Sequence, residues 1–209
     1  MPTLRTILSI IILPSDSTGI ARAVEALRSG LTVAHATETC YGLACDLGNS
    51  EAVARLFRIK QRSDTQPVSA LFSSLDQAKQ YLVWNARAKE LAKEFLPGPL
   101  TLILPLRPDA PHQLFPTPNA LPPTPITVGL RLSPHPVAQS LVAQFGRPIS
   151  TTSANLHGLP SPYSAEEILA QFEKNDVSPD IILDSGTLER RSPSRIIDLS
   201  SGSEDLVRG

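Results

Sequence analysis

Three short stretches of the chain place polar side chains where they could hold a ligand. The first is Ser150 to Ser161, STTSANLHGLPS, where small polar residues crowd the end of an apolar segment. Read as extended chain, alternation puts Thr151, Ser153 and Asn155 on one face and Ser150, Thr152 and Ala154 on the other. The first face then offers two hydroxyls and an amide in a row, groups that orient a ligand at close range without carrying charge. A capped turn explains the same residues, because Ser and Asn satisfy local backbone groups ahead of a Gly-Leu-Pro bend. Spacing leaves the two readings balanced.

The second stretch is ITVGLRL. Val128, Leu130 and Leu132 alternate with Thr127, Gly129 and Arg131, so one face is apolar and the other carries a hydroxyl, bare backbone and a guanidinium. An arginine inside an apolar strand is costly to bury unless it meets an anion, and its planar fork suits a carboxylate or phosphate. Snorkelling from a half-exposed strand is the alternative. The third stretch is LFRIKQR. Lys60 continues the helical face of Val53, Leu56 and Phe57, so its stem should point inward or along a cleft edge, and Arg62 follows just beyond the helix. Two cations at a helix C-terminus are also what the helix dipole favours. Lys60, Arg62 and Arg131 beside a hydroxyl-rich strand combine into a polyanion site, with triphosphate a natural candidate.

These residues need elements to position them. The apolar run Ile7 to Leu13 reads as a buried strand, followed by a helix capped by Ser17 or Thr18 and closed by Gly30. LTVAHA is a strand running into TETCYGLACD, and Asn49 or Ser50 caps the helix EAVARLFRIK. PVSALF and LTLILPL are strands enclosing the helices LDQAKQYL and ARAKELAKEF. The proline-rich stretch from Pro105 to Pro125 should be irregular. ITVGLRL and RPIST flank the helix PVAQSLVAQF, and a last helix near Glu166 to Phe172 precedes the strands DIILD and SRIIDL. Interleaved strands and helices with no repeat and no clear linker predict one α/β domain over residues 1–209, a mixed sheet flanked by helices with a site at the polar strand ends.

Several chemistries are excluded. The sequence contains no P-loop, no G-x-G-x-x-G, no nucleophile elbow and no H-E-x-x-H. The four histidines, His35, His112, His135 and His157, show no ligand spacing, and no metal site is expected. Cys40 and Cys45 read as two free, buried, reduced thiols. With 41% hydrophobic and 19% charged residues and a net charge of -1, the chain is that of an ordinary globular protein with no global preference for nucleic acid. The early apolar run is far shorter than the ~20 residues of a membrane span, so a cytoplasmic protein is expected.

In order along the chain, TETCYGLACD, IKQR, LPGPLTLIL, TVGLRLSPHPV, TTSANLHGLPSP and SRIIDL...LVRG resemble the YrdC-like family of L-threonylcarbamoyladenylate synthases. The resemblance runs from about residue 20 to the end, and the K-x-R and S-x-N pair in register with the rest makes it specific. It implies one twisted α/β domain with a concave basic cavity. It also implies synthesis of threonylcarbamoyl-AMP and pyrophosphate from L-threonine, bicarbonate or CO2, and ATP with Mg²⁺. A partner transferase complex then modifies the tRNA adenosine next to the anticodon. By position, the resemblance assigns Lys60 and Arg62 to the phosphates as the catalytic cations. Gln66, Thr127, Ser153, Asn155, Ser161 and Arg208 match nucleotide-contacting positions, and Thr39, Arg131, Thr151 and Ser194 match the threonine side. Arg208 can serve only from an ordered tail.

The sequence departs from the family at Ala36, where proline is common, at Gln66, where asparagine is frequent, and at Leu71, where many members have a histidine near the threonine. Leu71 cannot make that polar contact. Glu38 could act as a base or pair with a cation. A competing reading is a non-catalytic module contacting tRNA or double-stranded RNA through the same cavity. With one Trp, three Tyr and six Phe, the chain has no aromatic cluster for stacking bases. A third is a paralogue acting on another amino acid.

Overall fold

The computed structural model describes residues 10–61, 68–111, 114–115, 126–201 and 203–209. In chain order the elements are β1 (Ile11–Pro14), α1 (Ser17–Arg28), β2 (Val33–Ala36), β3 (Tyr41–Ala44), α2 (Ser50–Lys60), β4 (Ser69–Leu71), α3 (Leu75–Tyr81) and α4 (Ala86–Phe95). They continue as β5 (Leu100–Pro105), β6 (Thr127–Arg131), α5 (Pro136–Phe145), β7 (Ile149–Ser150), β8 (Thr152–Ser153), α6 (Ala165–Phe172), β9 (Ile181–Asp184), β10 (Arg195–Asp198) and β11 (Asp205–Arg208).

The helices follow from apolar spacing and from caps. Asp16, not Ser17 or Thr18, caps α1, its carboxylate accepting from Gly19 N at 2.8 Å. Asn49 caps α2 through Glu51 N and Ala52 N at 3.0 and 3.1 Å. Such a cap contributes about 1 kcal/mol. On α2, Val53, Leu56, Phe57 and Lys60 are buried together, as their helical spacing dictates. Burying each of the apolar three contributes roughly 1.5–3 kcal/mol.

The expected α/β domain with helix-flanked mixed β-structure is present, but the strands form two mixed sheets where one was expected. One sheet has the order β1-β9-β2-β3-β8 and the other β11-β10-β5-β6-β4-β7. Alternation explains why both faces are covered: Val33, Ile181 and Leu183 join one apolar cluster with α1 and α5, whereas Ala34, Ala36 and Ile182 join the larger one. Strands buried on both faces read as continuous apolar runs. That is why DIILD was legible.

The apolar run at the start is different. Among its described residues only Leu13 is buried; Ile11 and Ile12 are 46% and 49% exposed, because β1 lies at the edge of its sheet, paired with β9. Hydrophobicity identified the strand but not which side the neighbours cover. Residues 7–9 and most of 105–125 lie outside the described residues. Among the described residues no helix is long and apolar enough to cross a membrane.

The two sheets meet where the chain passes from β7 to β8. Ser150 N donates to Cys45 O at 3.0 Å, and the Ser150 hydroxyl accepts from Cys45 N at 2.7 Å. Thr151 N donates to Ser69 O at 2.8 Å, while Ala154 N donates to Tyr41 O at 2.8 Å. Thr151, between the strands, is thus bound to the six-stranded sheet, and three residues later the chain is bound to the five-stranded one. This seam positions the site.

Candidate active site

A cavity of about 250 Å³ opens along the seam. The five-stranded sheet contributes Gly42 and the turn residues Thr37, Thr39 and Cys40; the six-stranded sheet contributes Ser69, Thr101 and Arg131. Thr151, Thr152 and Ser153 run along the crossing, and Ser161, Ser194 and Arg208 line the cavity as well. The Thr37 hydroxyl shapes the turn: it donates to Cys40 O at 2.6 Å and accepts from Thr39 N at 3.2 Å. Gly129 keeps the wall close, since a Cβ there would lie 2.7 Å from Ser69 Oγ and 3.2 Å from Thr101 Cγ2.

Arg131 is buried and has met an anion, as its place in an apolar strand requires. Its Nη2 donates to Glu38 Oε1, and the two side chains are each 7% exposed. Its Nη1 donates to Gly98 O at 2.7 Å and Leu100 O at 2.9 Å. Glu38, which sequence left between base and ion-pair partner, is held by Arg131 and by the Ser133 hydroxyl donating to Oε2 at 2.5 Å.

Lys60 reaches the seam from the last turn of α2. Its Nζ donates to Ser153 O at 2.6 Å and Asn155 Oδ1 at 2.7 Å, with Ser153 Oγ at 3.4 Å. The Ser153 hydroxyl donates to Asn155 Oδ1 at 2.5 Å. Asn155 Nδ2 donates to Leu159 O, and His157 N donates to Lys60 O at 2.9 Å, so the turn after Asn155 is tied to the helix end. Both readings of STTSANLHGLPS hold in part: Asn155 satisfies its own turn, while Thr151 and Ser153 face the cavity. Alternation fails at Thr152, which also lines the cavity because the strands on either side of Thr151 belong to different sheets.

Arg208 arrives on β11, an element absent from the sequence reading. Its Nε donates to Ser194 O and its Nη2 to Ser194 Oγ, both at 3.0 Å, and Ser194 Oγ lies 3.2 Å from Thr101 Oγ1. Burial, and then the neighbouring charge of Arg131, pull the Arg208 guanidinium below its usual range. Burial pushes the Cys40 thiol up, against hydrogen bonds from Ser161 and Thr39 and the charges of Arg131 and Lys60, so it stays protonated at neutral pH. Cys45 is pushed up to about 12 by burial; both cysteines are free. Two guanidiniums among many hydroxyls suit a small anionic or zwitterionic ligand.

Of the residues singled out from sequence, Thr39, Arg131, Thr151, Ser153, Ser161, Ser194 and Arg208 all line this cavity, and Lys60 and Asn155 join it through Ser153. Thr127, at the far end of β6 from Arg131, is half-buried and is not among the lining residues. Arg62 and Gln66 lie outside the described residues. Leu71 is buried in the cluster beneath α1 and α5 and does not line the cavity. Sequence reasoning missed Thr37, Ser69 and Thr101. A signal existed for Thr101, the lone polar residue of an apolar strand, which pairs directly with Arg131.

A two-sheet α/β domain with a hydroxyl-lined, arginine-bearing seam is a recognisable class. The family model Sua5_yciO_yrdC, described as telomere recombination, matches residues 25–209, and the chain belongs to that family. A Vibrio cholerae protein named threonylcarbamoyl-AMP synthase is 35% identical over 87% of this chain and 93% of its own length. The fold resembles P. abyssi Sua5 complexed with L-threonine (TM-score 0.79, 32% identity), covering 97% of this chain but only 57% of that one. It resembles E. coli YciO as well (TM-score 0.78, 29% identity), covering 97% of this chain and 95% of that one.

Proposed function

We propose that this protein is a threonylcarbamoyl-AMP synthase, making threonylcarbamoyl-AMP and pyrophosphate from L-threonine, bicarbonate or CO2, and ATP. The observation that carries this reading is the single seam on which Arg131 and the Lys60–Ser153–Asn155 cluster converge, in a family whose relatives bear that name. Arg131 and Arg208 offer N–H donors to a carboxylate and to phosphate oxygens, and Thr39, Thr151 and Ser194 offer neutral hydroxyls.

The amine of threonine adds to CO2 to give a carbamate and a proton. A carbamate oxygen then attacks the α-phosphorus of ATP, and pyrophosphate leaves. No protein nucleophile is needed, so the protein's contribution is positioning and charge stabilisation. Lys60 and Arg62 would offset charge on the departing phosphates, with Gln66, Thr127, Ser153, Asn155 and Ser161 around the nucleotide. Magnesium would arrive with ATP. The product would pass to a transferase that acts on tRNA in the cytoplasm.

Pyrophosphate release from ATP that depends on both threonine and bicarbonate tests the reading. In Lys60→Ala that rate should fall about 100-fold, the usual loss for one preorganised charge-stabilising donor. A wild-type rate in Lys60→Ala would remove Lys60 from the chemistry, and ATP turnover indifferent to threonine would end the proposal.

A further inference from the structure

Glu38 does not line the cavity, yet it holds the side chain that does. We propose that Glu38 is a positioning residue for the amino-acid subsite: it fixes Arg131 so that its unused N–H groups face the ligand. The inference rests on the reading of the cavity as an amino-acid site.

A guanidinium has five N–H donors in a rigid plane. In Arg131, two on Nη1 go to Gly98 O and Leu100 O, and one on Nη2 goes to Glu38 Oε1. The second N–H of Nη2 and the N–H of Nε have no partner among the described residues, and Arg131 is on the cavity wall. Two donors of the rigid guanidinium plane therefore remain for a carboxylate.

Three elements set that plane. Glu38 comes from the turn between β2 and β3, Arg131 from β6, and Ser133 from the segment leading into α5. Ser133 is itself held, its hydroxyl accepting from His135 N at 3.1 Å. The Glu38 carboxylate therefore has one oxygen on each of two fixed partners and little freedom to swing. A gate that swings over the guanidinium would have to occupy the cavity, and Glu38 is not among its lining residues. Its charge also compensates the buried guanidinium while no ligand is bound, so Arg131 does not have to find another anion.

Calorimetry with L-threonine and, separately, with ATP on wild type, Glu38→Ala and Glu38→Gln tests the assignment. Glu38→Ala should weaken threonine at least about tenfold, the scale of one charged hydrogen bond, and leave ATP affinity within about threefold. Glu38→Gln presents an acceptor to Arg131 and a donor to Ser133, and should stay within about threefold of wild type for both ligands. Threonine affinity unchanged in Glu38→Ala, or equally lost in both variants, overturns the inference; so does a parallel loss of ATP affinity. If Glu38→Ala fails to fold, Ser133→Ala carries the test. It frees one Glu38 oxygen and should weaken threonine about two- to fivefold with ATP unaffected; unchanged threonine affinity there overturns the inference too. Failure of the wild-type protein to bind threonine would strike the proposed function instead.

Discussion

Arg131 and Arg208 line the same cavity and are built in opposite ways. Arg131 is buried on a central strand, its partners an ionised carboxylate and two backbone carbonyls. Arg208 projects from an exposed edge strand and rests on two neutral oxygens of Ser194. In the first, charge is cancelled within the protein and geometry is fixed. In the second, charge is left for a ligand and geometry depends on a short strand at the sheet edge. The pair separates two tasks that a binding site must do: Arg131 gives direction, Arg208 gives net attraction.

The largest effect that could break this contrast is on stability. Arg131→Ala leaves Glu38 buried without its cation and should cost about 3–5 kcal/mol in urea unfolding, whereas Arg131→Met with Glu38→Leu should recover much of it. Equal losses in the single and double variants would mean that Arg131 supports the fold by packing alone.

Next in size is a pH effect on the inner side of the same seam. His35 is fully buried and its pKa is lowered to about 4, chiefly by burial; Nδ1 faces Ala36 O at 3.2 Å and Nε2 has no partner among the described residues. The unfolded chain takes up a proton near pH 6.5, and the folded protein resists until near 4. Stability present above 6.5 is thus lost as pH falls through that window, by up to about 3 kcal/mol. His35→Phe should flatten the slope of unfolding free energy between those pH values; an unchanged slope would exonerate the imidazole. Smallest in stability is Arg208→Ala, within about 0.5 kcal/mol of wild type. Its cost falls on binding, a KM for ATP raised about tenfold with a weaker salt dependence. A large loss of stability in Arg208→Ala would erase the distinction from Arg131.

Much of this was legible in sequence for a physical reason. The inward course of Lys60 follows from its spacing on α2, and the need of Arg131 for an anion follows from the cost of burying it. Sequence could not say that the anion is Glu38, because the two lie 93 positions apart and only the pairing of sheets brings them together. β11 was missed because its residues are all exposed and carry no apolar alternation. The division into two sheets was hidden as well. It turns on Thr151, a single residue between two strands of two residues each, where neither periodicity nor composition changes.

That crossing has a mechanical consequence. Thr39 belongs to one sheet's turn and Arg131 to the other sheet, so a molecule touching both is a rivet through the joint. Whatever free energy it gains on binding also resists the parting of the two halves. Occupancy and tertiary cohesion are here one quantity, measured at the same place.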